Sequence, residues 1–244
     1  MDIIKKQIRN GVDKNDLTST IKLSEWSPVM TTDYVSMLFI ASRRSGKTEL
    51  CKYILKESKM IDDYDYTVVM SESQDTLDSF SDIVSGDLFF DKFDPQIIDN
   101  LIAVSEKQEV DGKKKSFLLI IDDIVNNDMK HAEVMKKTFC IGRHYSISVI
   151  IISQKMSLIS TTSRNNADLI FIGKSNSSAE RIAIIDNLLL GLRDTDGSGS
   201  QLSDRKFYFD IIKKYTANYN FIVLDNTTMS NEFYDKVKFI KAKL

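Results

Sequence analysis

Short apolar runs alternate with longer segments of helical periodicity along most of the chain. The apolar runs, rich in Val, Ile, Leu and Phe, lie at residues 35–40, 66–70, 117–121, 147–152, 169–172 and 219–224. Segments with apolar residues every three to four positions lie at residues 47–58, 127–140, 177–190 and 204–215. The short runs predict buried strands, and the longer segments predict amphipathic helices. This alternation predicts an α/β fold with a mostly parallel central sheet and helices on both faces.

The same pattern predicts one main domain with two extensions. Residues 31–230 contain the strand–helix alternation and are assigned to this domain. Residues 1–30 have weak periodicity and are expected to form an N-terminal arm. Residues 231–244 include Lys236, Lys238, Lys241 and Lys243, and we predict that they form a basic C-terminal helix.

A phosphate-binding motif separates the first predicted strand from the first predicted helix. It reads Ala41-Ser42-Arg43-Arg44-Ser45-Gly46-Lys47-Thr48, and Glu49 follows it. The P-loop pattern is G-x-x-x-x-G-K-[ST], whose backbone N–H groups surround phosphate oxygens at a helix N-terminus. Its lysine contacts the β- and γ-phosphates, and its threonine hydroxyl binds Mg²⁺. We therefore expect ATP and Mg²⁺ at residues 41–49, with one departure: Ala41 stands where the pattern has glycine, and alanine disfavours positive φ.

A second motif ends the strand predicted at residues 117–121. Asp122 and Asp123 follow its apolar residues, an arrangement typical of a Walker B strand. Asp122 is expected to hold the Mg²⁺ shell, and Asp123 to orient or deprotonate the attacking water. The next predicted strand ends in Ser153-Gln154, where Gln154 can sense the γ-phosphate. This order favours the RecA-like (ASCE) motor branch of P-loop NTPases over nucleotide kinases and GTPases.

Further segments carry a family resemblance. Residues 142–150 read Gly-Arg-His-Tyr-Ser-Ile-Ser-Val-Ile, Ser153-Gln154 follows, and residues 164–168 read Arg-Asn-Asn-Ala-Asp. Together with the two Walker motifs, they resemble the genome-packaging ATPases of poxviruses, other large DNA viruses and virophages, within the FtsK–HerA superfamily. The resemblance extends over residues 35–173. It departs from the family at Ala41 and at Asp123, where many relatives have glutamate.

The resemblance implies a motor that hydrolyses ATP and drives double-stranded DNA into a viral capsid. The implied partners are the DNA, further copies of the chain in a pentameric or hexameric ring, and a capsid or other virion protein. The implied location is the host cytoplasm at virus factories or the virion, and no membrane insertion is expected.

The resemblance also implies roles for individual residues. Lys47 and Asp123 match catalytic positions, and Gln154 matches the sensor. Arg143 matches the position of an arginine finger in related ring motors, where a neighbouring subunit supplies the charge. An equally open interpretation is that Arg143 lies at a helix end, where its positive charge interacts favourably with the helix dipole. Arg164 is the second finger candidate, although a structural role is the preferred interpretation.

Composition and charge limit the alternatives. No apolar run of the 244 residues approaches the roughly 20 that span a bilayer, and two cysteines cannot form a disulfide framework. The formal net charge is −2, but residues 61–99 contain eleven acids and one lysine, a net charge of −10. The rest of the chain therefore carries +8, which suits a polyanionic partner. Two alternatives stay open: an ATP-binding docking module with little turnover, and a small-molecule phosphotransferase.

Overall fold

The computed structural model describes residues 21–30, 33–84, 88–107, 109–110, 113–123, 132–192, 201–230 and 232–242. The strands that form the main sheet are β1 (Ser36–Ile40), β2 (Tyr66–Ser71), β3 (Phe89–Phe90), β6 (Phe117–Asp122), β7 (Ile147–Ser153), β8 (Leu169–Ile172), β9 (Asn220–Asp225) and β10 (Val237–Lys241). A separate hairpin contains β4 (Glu109–Val110) and β5 (Lys113–Lys114).

The strand order of the main sheet is β10-β9-β8-β1-β7-β6-β2-β3. All pairs from β3 to β8 are parallel, whereas β9 runs antiparallel to β8 and β10 antiparallel to β9. β1 therefore lies inside the sheet, with β7 on one side and β8 on the other. Because the strands from β3 to β8 are parallel, their carboxyl ends meet at one edge, where ligands of open α/β sheets usually bind.

Eight helices lie among the described residues. They are α1 (Lys47–Glu57), α2 (Gln74–Ser81), α3 (Pro95–Lys107), α4 (Glu133–Ile141), α5 (Thr161–Asn165), α6 (Ser178–Ile184), α7 (Gln201–Tyr215) and α8 (Phe233–Lys236). α6 continues into a π-helical turn, Ile185–Leu189. Ser73, Ser160 and Ser177 cap α2, α5 and α6, since each side chain accepts a hydrogen bond from the N–H three residues later. None of the helices in the described ranges is both long and apolar enough to cross a bilayer.

Two hydrophobic cores lie on opposite faces of the sheet. Successive residues of a strand point to opposite faces, so Phe39 joins the core with α1 and α2, whereas Leu38 and Ile40 join the core with α3, α4 and α7. Every residue of β1, β6, β7 and β8 is buried. The predicted α/β class, with a largely parallel sheet covered on both faces, is confirmed.

The predicted basic C-terminal helix is wrong. Only Phe233–Lys236 is helical, and Val237–Lys241 forms the edge strand β10. Val237 and Ile240 are buried in this strand, and pairing with β9 along five residues outweighs the local lysine content. Residues 243–244 of this segment lie outside the described residues.

The described part of the predicted N-terminal arm packs onto the domain. Ile21, Leu23 and Trp26 are buried, and the Trp26 N–H donates a hydrogen bond to the Phe239 carbonyl of β10 at 2.7 Å. Burial of these apolar side chains makes residues 21–30 part of the folded domain. The rest of the predicted arm, residues 1–20, lies outside the described residues, as do residues 127–131 of the helix predicted at 127–140.

Candidate functional site

The predicted P-loop lies between the carboxyl end of β1 and the first turn of α1. Gly46 has φ 84° and precedes the first residue of α1, Lys47. Positive φ in this loop occurs at Arg44 (58°) and Gly46, and not at Ala41. The departure from the glycine pattern at Ala41 therefore carries no backbone strain, because this position does not use the left-handed region.

The end of β8 supports the start of the P-loop. A Cβ atom added to Gly173 would lie 2.8 Å from Ala41 Cβ and 2.4 Å from Phe221 Cε1, so only glycine fits there. The Ser42 N–H donates a hydrogen bond to the Lys174 carbonyl at 2.8 Å. The strand adjacent to β1 thus supplies both the space for the methyl group of Ala41 and a backbone partner for the loop.

Lys47 points back into its own loop. Its Nζ donates a hydrogen bond to the Ser42 carbonyl at 3.0 Å, and the residue is 8% exposed. Burial lowers the pKa of Lys47, while the nearby Asp122 and Asp123 carboxylates act in the opposite direction. A buried ammonium held over a loop of backbone N–H groups suits an anionic ligand.

Asp122 ends β6 beside the first turn of α1. The Thr48 Oγ1 donates a hydrogen bond to Asp122 Oδ2 at 2.7 Å, and Asp122 is 2% exposed. Burial raises the pKa of Asp122 to about 6, against the hydrogen bond from Thr48 and the charge of Lys47. A hydroxyl and a carboxylate in contact are oxygen ligands of the kind that Mg²⁺ prefers, so these two residues fit the predicted metal site.

Asp123 and Gln154 meet at the carboxyl edge of the sheet. Their strands β6 and β7 are neighbours, and Gln154 Nε2 donates a short hydrogen bond to Asp123 Oδ1. Asp123 has φ 55°, and its N–H donates to the Ile152 carbonyl at 3.2 Å. The predicted water-activating acid and the predicted sensor are therefore in direct contact.

The remaining predicted nucleotide-binding residues differ in exposure. Arg43, Arg44 and Glu49 are exposed, and Glu49 forms an ion pair with Lys52 at 2.7 Å. The Ser45 Oγ is buried and has no hydrogen-bond partner within the described part of the chain. Because a buried hydroxyl without a partner is costly, Ser45 is poised to bond a phosphate oxygen.

The two arginine-finger candidates lie in different environments. Arg143 is exposed in a 3-10 turn, Gly142–Tyr145, immediately before β7. Seven residues of β7 separate it from the P-loop edge, roughly 20 Å at the usual rise per residue. It does not belong to the P-loop site of its own chain.

Arg164 is held by its own helix and the loop before it. Its guanidinium donates hydrogen bonds to the carbonyls of Ile159 (2.7 Å) and Met156 (3.2 Å), and to Thr161 Oγ1 (3.0 Å). These bonds satisfy backbone oxygens locally, in agreement with the preferred structural interpretation of this residue.

Sequence reasoning missed the contribution of Gly173, Lys174 and Phe221 to the shape of the loop. A glycine directly after an apolar strand was the available signal for Gly173. Its meaning depends on the neighbouring strand, because β8 lies beside β1 only in the folded sheet. No local pattern marks Phe221, which approaches from β9.

Comparison with known proteins gives distant relatives and a shared fold. The chain is 25% identical over 209 residues to protein 015R of Frog virus 3 (isolate Goorha), covering 84% of this chain and 61% of that protein. The genome packaging NTPase B204 of Sulfolobus turreted icosahedral virus 2, solved with AMP, superposes with a TM-score of 0.58 at 16% identity. That match covers 88% of this chain and all of B204. EssC (ATPases 2 and 3) of Geobacillus thermodenitrificans has a TM-score of 0.51 at 13% identity, over 67% of this chain and 41% of EssC.

The structural matches show that the protein has the fold of P-loop ATPases. B204 has also been solved with AMPPCP and with ATP-gammaS, so this fold holds adenine nucleotides in that protein. The sequence profile of the family described as "Poxvirus A32 protein" matches residues 29–232, which include the P-loop, Asp122, Asp123 and Gln154. With that match over most of its length, the chain belongs to the poxvirus A32 protein family.

Proposed function

We propose that the protein is an ATPase that drives double-stranded DNA into a viral capsid. The main support for the proposal is that two hydrogen-bonded pairs lie together at one sheet edge. These pairs are Thr48 with Asp122, and Asp123 with Gln154. Membership of the A32 family and the fold shared with B204, a genome packaging NTPase, support the same conclusion.

The P-loop residues bind and orient the triphosphate in this proposal. Backbone N–H groups of the loop and the Ser45 hydroxyl donate hydrogen bonds to phosphate oxygens, and Lys47 turns from the Ser42 carbonyl to the β- and γ-phosphates. Thr48 and Asp122 hold Mg²⁺, which when bound neutralises charge on the phosphates. The Thr48 hydroxyl would supply a lone pair to the ion and can keep donating its proton to Asp122.

Asp123 and Gln154 act on the water that attacks the γ-phosphate. The Asp123 carboxylate accepts a proton from that water and orients its lone pair in line with the phosphorus. The Gln154 amide, which holds Asp123 Oδ1 in this structure, fixes the carboxylate until the γ-phosphate offers a second acceptor. Arg143, far from its own P-loop, serves a neighbouring copy as the finger in the proposed ring.

The proposed partners follow from the same motor. They are double-stranded DNA, further copies of the chain in a pentameric or hexameric ring, and a virion protein at the capsid, in the host cytoplasm. Charge supports a polyanionic partner, since the chain outside residues 61–99 carries +8.

Steady-state ATP hydrolysis with and without duplex DNA tests the proposal. We expect Mg²⁺-dependent turnover that duplex DNA stimulates, and loss of that turnover in Lys47→Ala. Arg164→Lys, which keeps the positive charge at a position outside the P-loop, serves as a control, and it should retain most of the activity. Tight nucleotide binding without DNA-stimulated turnover would instead favour the docking-module alternative, and transfer of phosphate to a nucleoside monophosphate would favour the phosphotransferase.

A further inference from the structure

An acidic groove lies at the β3 edge of the sheet. β3 is the last strand in the order, and its residues Phe89 and Phe90 are half-buried. Together with Leu77 of α2 they form an apolar floor, and Asp78 and Asp91 lie at its rim. We call this surface the edge groove. An edge strand with an apolar floor is suited to binding an extended segment of another chain.

The charge of the edge groove is not balanced within the described chain. Asp78 accepts a hydrogen bond from Gln74 Nε2 at 2.7 Å, but no lysine or arginine of the described residues forms an ion pair with Asp78 or Asp91. Both carboxylates are exposed, and they belong to the segment of net charge −10 at residues 61–99. The occupant that fits has apolar side chains for the floor and cations for the rim.

One segment of this chain has that composition. Residues 3–9 read Ile-Ile-Lys-Lys-Gln-Ile-Arg, with three isoleucines, three cations and no acid. They belong to the part of the predicted N-terminal arm that precedes the described residues. The composition complements the edge groove in both apolarity and charge.

The attachment point of the arm is remote from the edge groove of the same molecule. The Ile21 carbonyl accepts hydrogen bonds from Tyr215 Oη (2.9 Å) and Lys214 Nζ (2.8 Å), and Glu25 pairs with Phe239 of β10. β10 and β3 are opposite edges of an eight-stranded sheet, roughly 34 Å apart at the usual spacing between strands. Twelve residues from position 9 to Ile21 reach at most about 40 Å when fully extended. A path around the surface of the domain is longer than the straight line through it.

We propose that residues 3–9 of one copy bind in the edge groove of the next copy. Such a contact joins different surfaces head to tail, and contacts of this type close into rings when the rotation permits. The inference rests on the ring in the proposed function and names the segment that links its subunits. It also gives Asp78 and Asp91, two acids of residues 61–99, a role in assembly.

Charge reversal tests the proposed contact. The arm variant carries Lys5→Glu, Lys6→Glu and Arg9→Glu, and the groove variant carries Asp78→Lys and Asp91→Lys. We expect each to weaken self-association of the full chain at least tenfold in sedimentation experiments, and their combination in one chain to recover most of it. Equal association of all four proteins, or no recovery in the combined variant, overturns the proposal.

A labelled peptide of residues 1–14 provides a direct binding measurement. Its fluorescence anisotropy should rise with the full chain, weaken with added salt, and show at least tenfold weaker binding to the groove variant. Asp62→Lys with Asp63→Lys is the matched control, since these exposed acids lie in the same segment outside the edge groove. Equal binding of the peptide to the groove and control variants overturns the proposal.

Cysteine cross-linking distinguishes the next copy from the same copy. Ile4→Cys and Ser81→Cys are combined in a Cys140→Ser background, where the remaining Cys51 is buried. Oxidation should link different chains into dimers and larger species, whereas a disulfide within one chain overturns the proposal. These measurements need no ATP hydrolysis, and Lys47→Ala should give the same result as the wild-type chain. Failure of the contact and failure of the proposed ATPase activity are therefore separate outcomes.

Discussion

Asp123 occupies a backbone conformation that suits aspartate better than glutamate. Its φ of 55° lies in the left-handed region, where Asp and Asn are enriched over longer side chains. The hydrogen bond from Gln154 then fixes the short carboxylate. The aspartate and the glutamine therefore form one hydrogen-bonded unit.

Lengthening this acid should therefore damage turnover more than binding. In Asp123→Glu, the extra methylene displaces the carboxylate by about 1 Å, and such misplacement can lower kcat roughly 100-fold. We expect KM for ATP to change little, because the P-loop binds the triphosphate. Steady-state measurements of kcat and KM for Asp123→Glu, alongside Gln154→Ala and Asp123→Asn, check this prediction. Wild-type kcat in Asp123→Glu would contradict the geometric argument.

The buried Asp122 carboxyl should lower the stability of the nucleotide-free chain. Its pKa of about 6 lies above the ordinary value of 3.8, so the folded chain binds the proton more tightly than the unfolded chain. The free energy of unfolding should consequently fall as pH rises from about 4 to 6, by about 3 kcal/mol at most. Asp122→Asn removes this cost, and we expect it to be more stable at pH 7.5 in EDTA.

Urea unfolding of both proteins across pH measures this effect. The difference in free energy of unfolding between Asp122→Asn and wild type should shrink toward pH 4, where the wild-type carboxyl is protonated. Mg²⁺ with ATP should stabilise wild type more than the variant, since ligand binding adds to stability. A pH-independent difference would show that burial of the charge is not its cause.

At the level of elements, the contact between β8, β9 and the P-loop decides whether the loop keeps its shape. Gly173→Ala places a methyl group 2.4 Å from Phe221 Cε1 and 2.8 Å from Ala41 Cβ. Overpacking of this kind typically costs about 1–3 kcal/mol. We expect a lower melting temperature together with a raised KM for ATP.

Relief of the overlap should separate the two effects of Gly173→Ala. Adding Phe221→Leu should recover stability, and adding Ala41→Gly should recover KM, since each removes one of the two close contacts. Ser175→Ala, at a neighbouring buried position of the same loop, is the control. Unchanged KM in Gly173→Ala would mean that β8 does not position the loop.

The elements differ in how far local sequence determines them. The strand at Ile147–Ser153 and the helix at Lys47–Glu57 could be predicted within one residue, because continuous apolar runs and helical periodicity are local signals. The strand at Val237–Lys241 could not, because it depends on pairing with β9. The strand at Phe89–Phe90 has only two residues, too few to show the alternation of apolar and polar positions that predicts a strand.

The candidate site divides in the same way. The motifs at Lys47, Asp122 and Asp123 were visible because phosphate and metal chemistry restricts residue types at fixed spacing. Sequence reasoning places Gln154 at the end of the strand that follows β6, but it does not predict the hydrogen bond between Gln154 and Asp123. The fit of Gly173 against Ala41 was not foreseen, since it depends on three strands meeting in space.

For the whole molecule, the position of Arg143 predicts a shared active site. Its turn lies at the amino edge of β7, opposite the P-loop edge, so any catalytic role of Arg143 would be at the P-loop of another copy. We expect Arg143→Ala and Asp123→Asn to be inactive alone and to regain part of the activity when mixed. The regained rate should peak at an intermediate ratio in steady-state assays. No recovery at any ratio would contradict a role for Arg143 between subunits.

The net charge of −2 is a sum over two separate regions of the molecule. Residues 61–99 include β2 and β3 at one end of the sheet. The P-loop follows β1, which lies between β7 and β8. The molecule is therefore acidic at the β2–β3 end of its sheet, whereas the rest of the chain has a net positive charge. In the proposed ring, head-to-tail stacking of such molecules would place unlike charges against each other.

The central place of β1 also determines when the nucleotide site can form during synthesis. Its partners β7 and β8 follow more than 100 residues later, so β1 gains its first neighbour only when residue 153 has left the ribosome, and its second when residue 172 has. At ordinary elongation rates this interval is on the order of 10 s. A nascent chain that ends before β7 and β8 therefore exposes the lysine-bearing loop without the neighbouring strands that flank it in the folded sheet.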